Sequence, residues 1–530
     1  MKLLTRIVTV ALAVLLCLCP AAQASASRPG AEKPNILLLV GDDHAWEVTG
    51  CYGNRLAKTP NIDRLAAAGM RFDRAYCNSP ICTPSRQSFL CGRYPRATGV
   101  MCLADALGPD EPTLAEHLRR LGYRTAAFGK MHFNSALPHG FEVAVTERGA
   151  WQAYERQHPP SPLPPAIEVL PPWRPFKDPA SIWLNGFHRP YPRRQADMES
   201  TFYADRAVEF IRAHRAEPFF LEVGFREPHS PFWFPIEYRN LYDPAKMPVP
   251  EPGPEDAGQI PRIFRDLTRT DKQGIIASAY TSTSFLDANV GRVIDAIHEA
   301  GLADRTLIIY LSDNGYHLGQ HGRFEKHSFF EGAVRCPLVM AMPGRIPSGS
   351  STRSLVEFVD LFPTILDLAA LPRPDGNALQ GRSFAKVLQD PSAEAREDIL
   401  SEYAHSEEGM IRTPRWKLIY RTGKRERDDG YEEVVPVRGR TVRLYDVEND
   451  PQEMTNLADR PEHRDMVQRL IRRLRDRLVE TERDPKAVPA FTTPEEAIDW
   501  CLTRLSERTV PASPASPAAD RRVDAGGRKR

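Results

Sequence analysis

The chain has 530 residues, 42% of them hydrophobic, which suffices for one large domain with a smaller satellite or for two mid-sized domains. Its 70 basic and 69 acidic residues are interspersed and leave a net charge of +1. That balance excludes the basic field a nucleic-acid partner requires and leaves only local capture of a polyanion through an Arg-lined cleft.

The chain opens with Lys2 and Arg6, an apolar run from Ile7 to Cys19, and the small-residue triplets Ala22-Gln23-Ala24 and Ala24-Ser25-Ala26. The run is too short to span a bilayer. Residues 1–26 therefore read as an export signal, with an uncleaved anchor as the alternative. The expectation is an exported protein, periplasmic or secreted, without stable membrane insertion. Nine cysteines occur, and seven follow the signal: Cys51, Cys77, Cys82, Cys91, Cys102, Cys336 and Cys501. Export permits disulfides, but the odd count leaves at least one cysteine unpaired or altered. The absence of a Cys-x-x-Cys pair argues against structural zinc.

Pro34 to Val40 is an apolar run ending in Gly41-Asp42-Asp43, as expected of a strand buried on both faces. Thr59-Pro60 opens a helix through Ala68, with Thr59 as N-cap. Tyr123 to Phe128 is a second strand, running into Lys130 and His132, and Phe219 to Val223 a third, running toward His229. A long helix is expected from Lys272 to Ala300, closed by Gly301. Thr306 to Leu311 is a strand ending in Asp313-Asn314, Pro337 to Met342 another, and Asp360 to Ala370 a helix with Pro363 in its first turn. Strands alternating with helices define an α/β domain with a largely parallel central sheet, over residues 33–395. Residues 157–195 are rich in Pro, Trp and Arg and read as irregular: a binding loop or surface decoration.

From 396 to 505 the pattern changes. Arg415 to Tyr420 and Val442 to Asp446 alternate like antiparallel strands with one wet face. A basic amphipathic helix follows, with Met466, Leu470, Ile471, Leu474 and Leu478 on one side; it packs on the small sheet or, alternatively, lies on a membrane surface. This is a small α+β domain, followed by a Pro-, Ala- and Arg-rich tail, 506–530, expected to be disordered.

Functional residues of open α/β sheets gather where strands end. Four strands here end in Asp42 and Asp43, in Lys130 and His132, near His229, and in Asp313 and Asn314. Carboxylates with an amide oxygen suit a hard cation, Ca²⁺ or Mg²⁺. Lys130, His132, His229 and Lys326 beside that cation would form an anion pocket for a phosphoryl or sulfuryl group. His317, His321 and His327 flank the region as substrate contacts or solvated bystanders. Cys82, in Cys82-Thr83-Pro84-Ser85-Arg86, could be a thiol nucleophile or a buried structural cysteine. A thiol nucleophile mismatches an oxygen-ligand metal site.

The segment Cys82-Thr83-Pro84-Ser85-Arg86, continuing through Leu90-Cys91-Gly92-Arg93, resembles the signature of the type I sulfatases. The resemblance extends to Gly41-Asp42-Asp43, Gly129-Lys130-Met131-His132, Pro228-His229, Ser312-Asp313-Asn314-Gly315, Lys326, and Leu444-Tyr445-Asp446 with Asn456-Leu457. Cys91 departs from the Thr or Ser usual in that family, and pairing with Cys77 or Cys102 stays open. The resemblance implies an alkaline-phosphatase-like large domain, its mostly parallel sheet sandwiched by helices, plus a smaller C-terminal α+β domain with an antiparallel sheet. It implies that a maturation enzyme oxidises Cys82 to Cα-formylglycine. It further implies that Asp42, Asp43, residue 82, Asp313 and Asn314 bind Ca²⁺, with Mg²⁺ as the alternative. Catalytic roles fall on residue 82 as nucleophile, Arg86 and Lys130 as its holders, and Lys130 and Lys326 on the sulfate oxygens. His229, with or without Lys326, is the proton donor, and His132 the base.

Around Asp313 the sequence is similar to the iduronate-2-sulfatase and glycosaminoglycan-sulfatase side of that family. The expected function is removal of sulfate from a sulfated carbohydrate by an exported enzyme. The alternatives are a formylglycine-dependent phosphodiesterase or phosphonate monoester hydrolase, and a non-catalytic relative that binds sulfated glycans. The aromatic and Arg-rich stretch from Trp173 to Arg194 would suit a sugar with further anionic groups.

Overall fold

A computed structural model describes residues 33–171, 184–376, 379–427, 429–433 and 439–509. The expected export signal, the tail beyond residue 509, and residues 172–183 of the Pro-rich stretch lie outside the described residues.

The large sheet has eight strands: β1 (Asn35–Gly41), β2 (Met70–Phe72), β3 (Arg124–Gly129), β4 (Val143–Thr146), β5 (Phe219–Gly224), β6 (Thr306–Ser312), β7 (Leu338–Ala341) and β8 (Ser350–Thr352). Their order is β8-β2-β7-β6-β1-β5-β3-β4. All neighbours run parallel except β7, which is antiparallel to β6 and β2. The central strands β1, β5 and β6 are buried along their whole length, which is why their sequences are continuous rather than alternating.

Alternate residues of β1 feed two cores. Leu37 and Leu39 pack with Ile62 and Leu65 of α1 (Pro60–Ala68), Phe202 and Phe210, and Leu286, Val290 and Ile297. Phe202 and Phe210 belong to a helix absent from the sequence reading, Glu199–Ala213; the last three belong to the long helix Arg269–Glu299. Ile36, Leu38 and Val40 face the other way, toward Phe89, Leu90, Leu118 and Ile365. The sheet is thus sandwiched by helices. The long helix starts one turn before the expected Lys272. Thr268 Oγ1 accepts the Asp271 N–H at 3.2 Å and the Asp271 carboxylate accepts the Thr268 N–H at 3.0 Å, a reciprocal cap. Thr59 precedes α1, yet its hydroxyl does not cap it: the oxygen accepts the Gly50 N–H at 2.8 Å and lies 3.2 Å from Asp63 Oδ1.

The small sheet is an antiparallel meander of β9 (Ile399–Tyr403), β10 (Glu408–Arg412), β11 (Trp416–Arg421) and β12 (Thr441–Asp446). Its first two strands were not expected from the sequence. Leu400, Ile411, Leu418 and Leu444 meet Leu470, Ile471, Leu474 and Leu478 of the helix Arg464–Glu480. That helix therefore spends its apolar side on the sheet, not on a membrane surface. The expected wet face of the sheet is buried too. Met410, Ile419 and Tyr445 join the core of the large sheet, and Lys417 is sealed between Glu331 (2.8 Å) and Glu453 (2.6 Å). The polar residues that suggested solvent are buried ion pairs. Both sheets belong to one compact unit that begins at Pro34. No helix among the described residues is long and apolar enough to cross a membrane.

Candidate active site

Strands β6, β1, β5 and β3 are adjacent and parallel, so their C-terminal ends share one rim. That rim carries Asp313 and Asn314, Asp42 and Asp43, His229, and Lys130 with His132. Facing it is α2 (Cys82–Cys91), buried at every position and ended by Gly92 in the left-handed region, φ 63°. Pro84 fits because the first-turn N–H groups of a helix have no intrahelical partner.

The polar side chains of α2 bind it to the strand ends. Arg86 Nε donates to Asp313 Oδ2 (2.8 Å) and its Nη1 to the Lys130 carbonyl (2.6 Å). Ser85 Oγ donates to the Asp313 carbonyl. Gln87 Nε2 donates to the carbonyls of His132 (2.9 Å) and Met131 (3.2 Å), and Thr83 Oγ1 lies 3.2 Å from His132 Nδ1. Thr83, Ser85 and Gln87 had no assigned role from the sequence. Their only signal is membership of the Cys82–Arg86 segment and its continuation.

Cys82 heads the helix and lies at the centre. Its Sγ is 2.7 Å from Lys326 Nζ, 3.4 Å from Asp42 Oδ1, 3.5 Å from Lys130 Nζ and 3.9 Å from Asp43 Oδ1. Lys130 Nζ donates to Asp42 Oδ2 (2.5 Å) and Lys326 Nζ to Asp43 Oδ1 (2.6 Å). Asn314 Nδ2 donates to Asp43 Oδ1 (2.8 Å), and His229 Nε2 lies 3.6 Å from Asp43 Oδ2. Asp42, Asp43, Lys130, His229, Asp313 and Asn314, with Cys82, Arg86 and Lys326, therefore meet in one cluster, which the His132 ring adjoins through Thr83.

A hard cation fits this donor set. Asp42, Asp43, Asp313 and Asn314 are buried oxygen donors, and Asn314 Oδ1 has no hydrogen-bond partner among the described residues. The ligand atoms that approach one another within 4.8 Å are those of Asp42, Asp43, Cys82 and His229. Asp313 is turned inward instead: its Oδ1 accepts the N–H groups of Asp43 (3.1 Å) and Asn314 (2.9 Å), and its Oδ2 faces Arg86.

Burial pushes the carboxyls up, but around Asp42 the charges of Lys130, His229, Arg86 and Lys326 outweigh it and hold the group well below the carboxylate range. Asp43 is likewise held down, chiefly by Lys326 against its own burial. Asp313 is pushed up to about 6 by burial, against Arg86. Burial and the Asp313 charge raise the Cys82 thiol, against Lys130 and Lys326, so as a thiol it stays protonated and is a poor nucleophile. Burial lowers His229 to about 4, against Asp43 and Asp42, and burial with Lys130 and Arg86 holds His132 neutral.

His317, His321 and His327 are neither solvated nor in the cluster. His317 Nε2 lies 2.7 Å from Ser328 Oγ, His321 Nδ1 2.9 Å from Asp256 Oδ1, and His327 stacks on Tyr403. All three are buried. Cys51, Cys77, Cys82, Cys91, Cys336 and Cys501 form no disulfide among the described residues. On its exposed side His229 lines a cavity of about 560 Å³, walled by Trp151, Tyr191, Trp233 and Arg226.

A profile of the family described as Sulfatase matches residues 34–371, and one described as N-sulphoglucosamine sulphohydrolase, C-terminal, matches residues 319–480. The chain belongs to the sulfatase family and is a hydrolase of sulfuric esters. A choline-sulfatase of Rhizobium meliloti (strain 1021) is 31% identical, across 81% of this chain and 83% of its own. An iduronate 2-sulfatase of Mus musculus is 30% identical, across 64% of this chain and 69% of its own. The crystal structure of the phosphonate monoester hydrolase of Agrobacterium radiobacter superposes with a TM-score of 0.71, covering 84% of this chain and 96% of that one. At 23% identity it shares the fold alone.

Proposed function

We propose that the protein is exported and removes sulfate from a sulfated, glycosaminoglycan-like saccharide. In this reading residue 82 is Cα-formylglycine, produced by a sulfatase-maturing enzyme. Asp42, Asp43, Asp313 and Asn314, with residue 82, would hold a divalent cation, Ca²⁺ or Mg²⁺. The observation that carries it is the setting of Cys82. Its sulfur lies among two ammonium groups and two aspartates, in a pocket that keeps a thiol protonated but suits an oxygen nucleophile. The N-terminal Lys2, Arg6 and apolar run support export.

When bound, the cation supplies Lewis acidity to the sulfate and lowers the pKa of an adjoining hydroxyl. The aldehyde hydrate at position 82 supplies one hydroxyl to attack sulfur and a second whose deprotonation lets sulfate leave. Lys130 and Lys326 point their ammonium groups at the same space and neutralise the sulfate oxygens. Arg86, fixed by Asp313 and the Lys130 carbonyl, holds residue 82 in place. His229 directs its Nδ1–H to the Ser230 carbonyl (2.8 Å), which leaves Nε2 facing the cluster. It gives the leaving alcohol a proton in the doubly protonated form, which the Asp43 and Asp42 charges favour against burial, and Lys326 Nζ is the alternative donor. His132, neutral and 3.2 Å from the Thr83 hydroxyl, is the base for residue 82.

Peptide mass spectrometry of residue 82, after co-production with a formylglycine-generating enzyme, tests the reading together with parallel assays on aryl sulfates and aryl phosphodiesters. The expected result is an aldehyde and faster sulfate turnover. Faster phosphodiester turnover would favour the phosphonate-hydrolase alternative, whose representative shares this fold.

A further inference from the structure

We infer that the cavity beside His229 is a subsite for a second anionic group on the leaving alcohol, with Arg226 as its counter-charge; this rests on the sulfate-ester reading above. The cavity's volume, about 560 Å³, falls within the range of ligand pockets, roughly 300–1,000 Å³. Its position follows from His229, which reaches Asp43 with Nε2 and also lines the cavity. An ester whose sulfate lies in the cluster therefore sends its alcohol portion past His229 into this space.

Arg226 stands one turn before His229, whose N–H donates to the Arg226 carbonyl at 3.0 Å. Its guanidinium lies 4.8 Å from the centre of the Trp233 ring. Trp233 in turn stacks on Tyr191 at 4.4 Å and is anchored by Ser282 Oγ, which donates to the Trp233 carbonyl at 2.7 Å. The carboxylates around the cavity are engaged by the protein. Glu155 pairs with Arg193, Asp197 accepts the Ser161 N–H (3.1 Å), Glu199 accepts the Tyr203 hydroxyl (3.1 Å), and Glu227 accepts the Ser200 hydroxyl. Among the described residues the Arg226 guanidinium makes no hydrogen bond or ion pair. It is a planar fork of donors placed over an aromatic ring, a shape that matches a carboxylate or a sulfate.

The chemistry separates substrate classes. A sugar bearing a uronate carboxylate or a second sulfate offers the fork its anion and the Tyr191–Trp233 stack a ring face. A quaternary-ammonium alcohol, the kind a choline-sulfatase takes by its name, brings a fixed positive charge toward Arg226 and gains nothing there.

The test uses the full chain with the aldehyde at residue 82 verified by mass spectrometry. Its kcat/KM is measured on choline sulfate, on a neutral sulfated saccharide, and on matched saccharides carrying a uronate or a second sulfate. The two acidic arms separate the two sources of the anion. The expected preference for acidic over neutral saccharide is about 10- to 100-fold, the worth of a charge-assisted pair. In Arg226→Gln that ratio collapses toward one through KM, and Arg226→Lys restores part of it. Equal turnover of acidic and neutral saccharides, a preference for choline sulfate, or an unchanged ratio in Arg226→Gln overturns the subsite alone. Failure on every sulfate ester overturns the reading beneath it as well.

Discussion

At position 82 the environment decides the chemistry. A sulfur 2.7 Å from Lys326 Nζ has the setting of an activated thiolate, yet burial and Asp313 raise its pKa instead. Cys82→Ser is therefore expected to end multiple turnover, since serine brings a hydroxyl to the cluster but lacks the second one that releases sulfate. Steady-state assay with intact-protein mass checks this, and many turnovers per molecule would sink the proposed chemistry. The acids of the site and Lys130 were legible in the sequence because each follows an apolar strand, whereas Lys326 sits in a loop and was placed by the family resemblance. What was not legible is orientation. Asp313 turns to Arg86 and two N–H groups while Asn314 Oδ1 is left without a partner among the described residues, and residue order says nothing about either. His317, His321 and His327 looked like solvated flankers because a histidine's partners, here Ser328, Asp256 and Tyr403, are distant or unremarkable in sequence.

Elements are spaced by glycine where two strand ends come closest. A Cβ on Gly224, at the end of β5, would lie 2.2 Å from the Lys130 carbonyl oxygen. Gly224→Ala is expected to cost about 1–3 kcal/mol and to lower kcat/KM by displacing Lys130, measured by urea midpoint and steady-state kinetics on the same sample. The loop carrying Lys326 depends on the small sheet. Glu325, next to Lys326, is fully buried and bound by Arg427 (2.8 Å) and Arg323 (2.5 Å), and Lys417 Nζ donates to the Phe329 carbonyl at 3.0 Å. Burial raises Glu325, but Arg427 and Arg323 outweigh it and bring it from 4.5 to about 2. A depressed folded pKa gives stability that is complete above the unfolded value and lost as pH falls from about 4.5 toward 2, on the order of 3 kcal/mol in all. Glu325→Gln is expected to flatten that acid limb and to cost about 1–3 kcal/mol at neutral pH, because Arg427 keeps Asp429 (2.7 Å) and Arg323 keeps Glu433 (3.4 Å). Thermal melts across pH read both. The sheet's buried second face escaped the sequence for the same reason: Lys417 and Arg421 spell solvent until their partners Glu331, Glu453 and Glu433 are in place.

For the whole molecule, the two sheets share a core. Met410, Ile419, Tyr445 and Val447 belong to the same apolar cluster as Ile36, Leu38 and Val40. The boundary expected near residue 396 therefore separates two sheets but not two cores. A single cooperative unfolding transition is expected by calorimetry; two resolved transitions would show that the small sheet melts alone. The burial of α2 sets an order of events as well. Residue 82 is 1% exposed, and the Thr83-Pro84-Ser85-Arg86 segment that follows it is sealed between the strand ends and the surrounding core. No other enzyme can grasp that segment once the fold has closed. The proposed oxidation of Cys82 thus has a deadline. It belongs to the unfolded chain, and a molecule that folds first keeps its thiol and is stranded as a well-packed, inactive protein.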